Sequence, residues 1–260
     1  MIENKTEPPP PEREVRMRPL RQLGRNLMDL LYPRDCLVTG VPLDEGPYRF
    51  LHETVVRRLP AILAPRCPRC GSALGPHAPE DQVCRRCVDL RRRFGEARCG
   101  YRLSDDVRAV LHAFKYGKQR GLGRECARLL LRVPGFPEFL EGAVVCPVPL
   151  HPQKQGSRGF NQAEEILLPL ARARPGLFTV SDLLVRRIPG ESQTRRDRKE
   201  RAREVRDAFA VRREARPLDR RLRYLIFDDV FTTGATLNEC TRALRKWGAR
   251  RVDVAAFAHG

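Results

Sequence analysis

The sequence predicts an α/β fold, a mostly parallel sheet covered on both faces, set behind a small cysteine-rich module. Three observations carry this. From about residue 101 to the end, apolar β-branched runs alternate with stretches of three- and four-residue apolar periodicity. The stretch Arg223–Glu239, RYLIFDDVFTTGATLNE, holds a complete strand, loop and helix start. Ahead of both stand two C-x-x-C knuckles, Cys67–Cys70 and Cys84–Cys87.

The elements follow in order. Residues 1–15, with four consecutive prolines, read as a disordered tail. Leu20, Leu23, Leu27, Met28, Leu30 and Leu31 make an amphipathic helix that Pro33 stops. Residues 16–100 then form an N-terminal module, and residues 101–260 the α/β domain. Within the domain, Val107, Val110, Leu111 and Phe114 form a helical stripe, and residues 122–131 form a second helix closed by Pro134. A strand over 143–148 runs into Pro147-Val148-Pro149-Leu150-His151, and a helix spans about 161–173. Short strands are expected at 183–185 and 208–211, with longer ones at 224–229 and 252–258. The helix after residue 236 carries Leu237, Cys240, Ala243, Leu244 and Trp247 on its apolar face.

Composition sets bounds on function. A net charge of +18, mostly arginine, favours polyanionic partners: phosphorylated metabolites, nucleic acid or a membrane surface. No apolar run approaches the ~18 residues of a membrane span, and the N-terminus lacks the apolar core of a signal peptide. The sequence therefore reads as a soluble, cytoplasmic protein whose nine cysteines are reduced thiols or metal ligands.

The knuckles Cys67-Pro-Arg-Cys70-Gly71 and Cys84-Arg-Arg-Cys87 suit four thiolates on one structural Zn²⁺. The segment between them is too polar to build a core, so metal would supply its folding free energy. Four thiolates leave no open position, which excludes a catalytic zinc. Cys36 and His52 do not complete a second site, and Cys99, Cys126, Cys146 and Cys240 read as small buried hydrophobes.

Asp228 and Asp229 close the 224–229 strand, at the edge where open α/β sheets place ligands. Thr232-Thr233-Gly234-Ala235-Thr236 follows on a helix amino terminus, a cradle of amides and hydroxyls for a phosphate. Gly234 permits positive φ and a close backbone approach. Carboxylates beside a phosphate site fit a ligand with a phosphate, vicinal hydroxyls and a divalent cation. Neither a P-loop nor G-x-G-x-x-G is present. Among the other polar groups, the Pro147–His151 loop can offer amides, with Pro149 stiffening it. Arg158 can grip a phosphate bidentately, and Asn161 suits an N-cap. Lys115 is either an anion-binding cation or a solvated lysine, and His151 either a base or a surface histidine.

The acid pair and threonine loop resemble the 5-phosphoribosyl-1-pyrophosphate (PRPP) motif of type I phosphoribosyltransferases. With the knuckles, AFKYG at 113–117, VPLH with RGFNQ at 148–162, and the Arg187 to Phe209 block, the chain is identified as a member of the ComF family. The resemblance implies a type I phosphoribosyltransferase-like parallel sheet behind a zinc module of four cysteine ligands. It implies PRPP with Mg²⁺ as ligand, with Asp228 and Asp229 as catalytic acids at the ribose. It also implies work on incoming single-stranded DNA in natural transformation beside a DNA-uptake helicase. The chain departs from the family at Arg196 and Glu204, and keeps only Cys36 of an additional pair of cysteine knuckles. Its 195–206 segment reads either as a solvated helix or as an arm over pyrophosphate or a nucleic-acid backbone. Three functions compete: a PRPP-binding pentosyl transferase of the competence type, a non-catalytic single-stranded nucleic-acid binder on the same fold, and a nucleobase salvage enzyme.

Overall fold

The computed structural model describes residues 34–117, 119–150, 156, 159–187, 208–213 and 219–260. The tail at 1–15, the helix at 20–31, His151, Arg158 and the 195–206 segment lie outside the described residues.

Seven strands and six helices are named here in chain order. They are α1 (Glu53–Arg58), β1 (Ala97–Arg102), α2 (Asp105–Tyr116), α3 (Leu122–Leu131), α4 (Phe136–Leu140), β2 (Val144–Pro147) and α5 (Gln162–Ala173). Then come β3 (Thr179–Val180), β4 (Leu184–Arg186), β5 (Phe209–Val211), β6 (Arg223–Phe231), α6 (Ala235–Lys246) and β7 (Arg251–His259). Five strands form one sheet in the order β1-β7-β6-β2-β3, and every pairing in it is parallel. A parallel sheet flanked by helices is therefore present, as the alternation of elements implied.

Strand alternation sorts the core into two halves. Leu225, Phe227, Ala255 and Phe257 pack with α2, α3, α4 and α5. Tyr224, Ile226, Val252, Val254 and Ala256 pack with α6, the β4–β5 ribbon and the four knuckle cysteines. Helices α3 and α5 meet closely at Gly123, where an added Cβ would lie 2.3 Å from the Glu165 carbonyl oxygen. Pro169, four residues on, has no N–H to offer that carbonyl, which leaves it open to the neighbouring helix.

Several expectations need correction. The short strands at 184–186 and 209–211 do not enter the parallel sheet; they pair antiparallel in a ribbon of their own. Trp247 is not part of the buried stripe of α6, since it sits at the C-cap and is 39% exposed. β1 carries no apolar run, because Arg98, Gly100 and Arg102 interrupt it, yet it pairs along β7 from Ala97 to Arg102. Residues 97–102 thus form one strand across position 100. No helix among the described residues is long and apolar enough to cross a membrane.

Candidate functional site

β6 is longer than its apolar run predicts. Its pairing with β7 continues through Val230–Ala258 and Phe231–His259, so Asp228 and Asp229 lie inside the strand and not beyond it. The loop to α6 is correspondingly short, Thr232 to Gly234. Alternation sends the two carboxylates to opposite faces. Asp229 faces α2, where Lys115 Nζ lies 2.6 Å from its Oδ2. The contact is an ion pair and not a well-directed hydrogen bond. Asp228 faces α6 and accepts the Asp229 amide at 2.8 Å. Burial, and then repulsion from Asp229, hold its carboxyl well above the usual carboxylate range. Burial also pushes the Cys240 thiol well up, and the Asp228 charge pushes the same way.

The turn leaves its polar groups outside. Thr232, Thr233, Ala235 and Thr236 are exposed, whereas Gly234 is buried with φ 73°. An added Cβ on Gly234 would lie 2.7 Å from both the Phe231 ring and the Arg92 guanidinium, so only glycine serves there. No side chain of the N-cap itself closes α6, but Thr233 Oγ1 accepts the Ala235 amide at 3.3 Å. Among the described residues the amides of Thr236 and Leu237 have no partner. These are the orphan donors that a helix start leaves for an anion.

The neighbouring loop comes from β2. Pro147 pairs with Phe227, and the Val148 amide donates to the Phe227 carbonyl at 2.8 Å, so Pro149 leaves the sheet beside the acids. Asn161 holds this loop from the start of α5. Its Nδ2 donates to the Val148 carbonyl at 2.9 Å while its Oδ1 accepts the Ala163 amide at 3.0 Å. Lys115, Pro149, Asp228, Asp229 and the threonine turn are thus brought to one edge.

The four knuckle sulfurs lie within 4.8 Å of one another. Cys70 and Cys84 Sγ are 3.7 Å apart, close to the ~3.8 Å edge of a tetrahedron with zinc–sulfur bonds of about 2.3 Å. Burial pushes the Cys84 thiol up, but hydrogen bonds from Cys70, Ser72, Cys67 and Cys87 outweigh it and leave its pKa at about 7. The donor set therefore fits a structural Zn²⁺. Gly71, at φ 74°, presses on β1: a Cβ there would sit 2.9 Å from the Cys99 amide nitrogen and 3.1 Å from the Ala97 carbonyl oxygen. Cys36 and His52 are occupied otherwise, the thiol accepting the His52 amide at 3.3 Å and the imidazole capping α1 through Thr54. Cys99, Cys126, Cys146 and Cys240 are buried.

One residue escaped the sequence reading. Arg92, just past the second knuckle, donates to the Thr233 carbonyl and lies over the rings of Phe94 and Phe231 at 5.8 and 5.6 Å. Arg93 N donates to Asn238 Oδ1 at 2.7 Å, and Arg69 reaches the Cys87 carbonyl at 3.0 Å. The cysteine module is therefore tied to the threonine turn. The only sequence signal was three arginines and a phenylalanine, residues 91–94, following a knuckle.

Comparison with known proteins agrees with the motif blocks. Competence protein F of Haemophilus influenzae is 29% identical over 199 residues, 75% of this chain and 84% of that protein. The chain is a homologue of the ComF proteins. Competence protein ComFC of Bacillus subtilis is 27% identical over 77% of this chain and 79% of its own length. DNA utilization protein YhgH of Salmonella typhi is 29% identical over 72% and 81%. No family model matches. A hypoxanthine phosphoribosyltransferase from Staphylococcus aureus superposes with a TM-score of 0.29 and 12% identity, over 53% of this chain and 61% of that one, a likeness too low to carry an argument.

Proposed function

We propose that this ComF homologue binds PRPP with Mg²⁺ at the carboxyl edge of its sheet and acts in the uptake or use of single-stranded DNA, alongside a DNA-uptake helicase. The observation that carries the ligand half is the exposed threonine turn, with free α6 amides, beside a partly buried acid pair on a parallel sheet. Thr232, Thr233, Gly234, Ala235 and Thr236 would hold the 5-phosphate through amides and hydroxyls. Asp228 and Asp229, reaching around both sides of the strand tip, would accept the ribose hydroxyls. The loop at Pro149, Lys115 and Arg158 would face pyrophosphate; Lys115 would leave Asp229 to do so. Mg²⁺ would neutralise the leaving pyrophosphate. Displacement at C1 of the ribose would make the chain a glycosyltransferase of the pentosyl type, its carboxylates steadying an oxocarbenium-like ring. The competence and DNA-utilization names of its homologues support the DNA half. Residues 1–15, 16–100 and 101–260 are proposed as tail, zinc module and phosphoribosyltransferase-like domain.

Calorimetric titration with PRPP and Mg²⁺ tests this. Wild type should bind, and the double variant Asp228→Asn, Asp229→Asn should not, while keeping its bound zinc. Unchanged affinity in the double variant would refute the site. The Lys115–Asp229 ion pair favours a second reading, a non-catalytic DNA-binding factor whose acid pair is already neutralised in part. Pyrophosphate release from PRPP in the presence of single-stranded DNA or another acceptor decides between them.

A further inference from the structure

A groove of about 790 Å³ runs along the outer side of α3 and α5. Arg49, Arg120, Arg124, Arg128 and Arg172 line it together with Phe50. Two carboxylates oppose these five guanidinium groups. Glu165 is engaged by Arg120 in an ion pair. Glu125 is only 2% exposed, and one of its oxygens accepts the amides of Arg49 and Phe50. Burial raises its carboxyl above the ordinary value.

Some exposed arginines elsewhere sit on acids, as in Arg57–Glu53, Arg58–Asp106, Arg212–Asp182 and Arg221–Asp219, and what sets the groove apart is its concave shape and the aromatic ring within it. In the groove, Arg124 and Arg172 form no ion pair among the described residues. Arg124 and Arg128 are four residues apart on α3, about 6 Å along the helix axis, so their charges form a row and not a single point. A concave strip of this kind suits a chain of anions better than one phosphate. Phe50 is half-buried, its ring edge against Gly121 and the Arg49 guanidinium 6.0 Å from its centre. An aromatic platform within a basic groove is the arrangement that holds single strands. The volume falls within the roughly 300–1,000 Å³ of small-ligand pockets, which admits a few nucleotides and not a duplex.

We propose that this groove binds single-stranded DNA, with Arg124, Arg128 and Arg172 on its phosphates and Phe50 stacked on a base. The assignment rests on the DNA half of the proposed function and is independent of PRPP. Fluorescence anisotropy with a labelled oligo-dT across a salt series tests it. Each phosphate contact on a single strand contributes about 0.7 to the slope of log affinity against log salt. The triple variant Arg124→Ala, Arg128→Ala, Arg172→Ala should lose about 2 from that slope. Phe50→Ala should weaken binding about tenfold or more with little change in slope. A charge-matched triple outside the groove, at the end of α6 and the start of β7, Arg245→Ala, Arg250→Ala, Arg251→Ala, should lose less than half as much slope. Thermal melts establish that all variants fold.

If wild type binds oligo-dT and the two triples lose slope equally, the groove assignment is overturned while the DNA reading stands. If folded wild type fails to bind at low salt, the DNA reading falls and takes the groove with it. Poly-glutamate displacing the oligonucleotide as well as unlabelled DNA of equal charge would overturn the groove as a DNA site.

Discussion

Replacing Arg92 with alanine removes the strut between the cysteine module and the threonine turn. The guanidinium makes a charged hydrogen bond to the Thr233 carbonyl and covers two aromatic rings. Losing a charged hydrogen bond costs about 1.5–3 kcal/mol, and each ring contact at a partly exposed site about 0.5–1 kcal/mol. These contributions overlap, because one planar group makes all of them, so a local loss of about 2 kcal/mol is expected. That is roughly a 30-fold rise in the open population of the turn. Hydrogen exchange of the ligand-free protein, followed by mass spectrometry over residues 231–238, reads it directly. Exchange of the bonded Ala235 and Asn238 amides should speed up about 30-fold, while β2 and β7 stay protected. Arg92→Lys, which keeps charge but not the flat stacked face, should fall between. Unchanged exchange in the alanine variant, or an equal rise throughout the sheet, would refute the strut.

Three further expectations follow from contacts described above. Asp228 binds its proton more tightly folded than unfolded, so it lowers stability as pH rises from about 3.8 upward through its folded pKa. Asp228→Asn should therefore flatten that part of the stability curve and raise Tm at neutral pH, by ~2–4 °C if the gain is about 1 kcal/mol; a lower Tm would count against it. Gly71→Ala forces positive φ on a residue with a Cβ and drives that carbon into β1 backbone. It should cost about 1–2 kcal/mol and weaken zinc affinity in competition with a chromophoric chelator, whereas wild-type affinity would show the knuckle does not lean on the sheet. Gly123→Ala should part α3 from α5 and cost about 1–3 kcal/mol in urea denaturation, and a loss below about 0.5 kcal/mol would contradict the close approach.

What the sequence revealed depended on repetition. β6 and β7 were legible because their buried apolar runs admit no other element, and α2, α3 and α5 because their stripes recur at helical spacing. The knuckles were legible from spacing alone, since paired cysteines converge on one centre. β1 was hidden by its arginines, one of which, Arg98, spends its charge on Glu96 and the Gly135 carbonyl. The direction of β4 and β5 was hidden for another reason: three residues of apolar pattern say nothing of the partner. Asp228 and Asp229 were legible as an acid pair at a strand end, but their opposite facing was not, because only the pairing register shows how far the pleat continues. Arg92 had no pattern to betray it, because its partners arrive from far along the chain.

The pleat at residues 228–229 also bears on how any occupant of the strand tip would be felt. One carboxylate answers to the helical half of the interior through Lys115, the other to the half that contains the cysteines. A molecule grasping both would clasp the two hydrophobic halves across the end of one strand, like a rivet through two plates. Its arrival would then stiffen the metal module and the distant helices together.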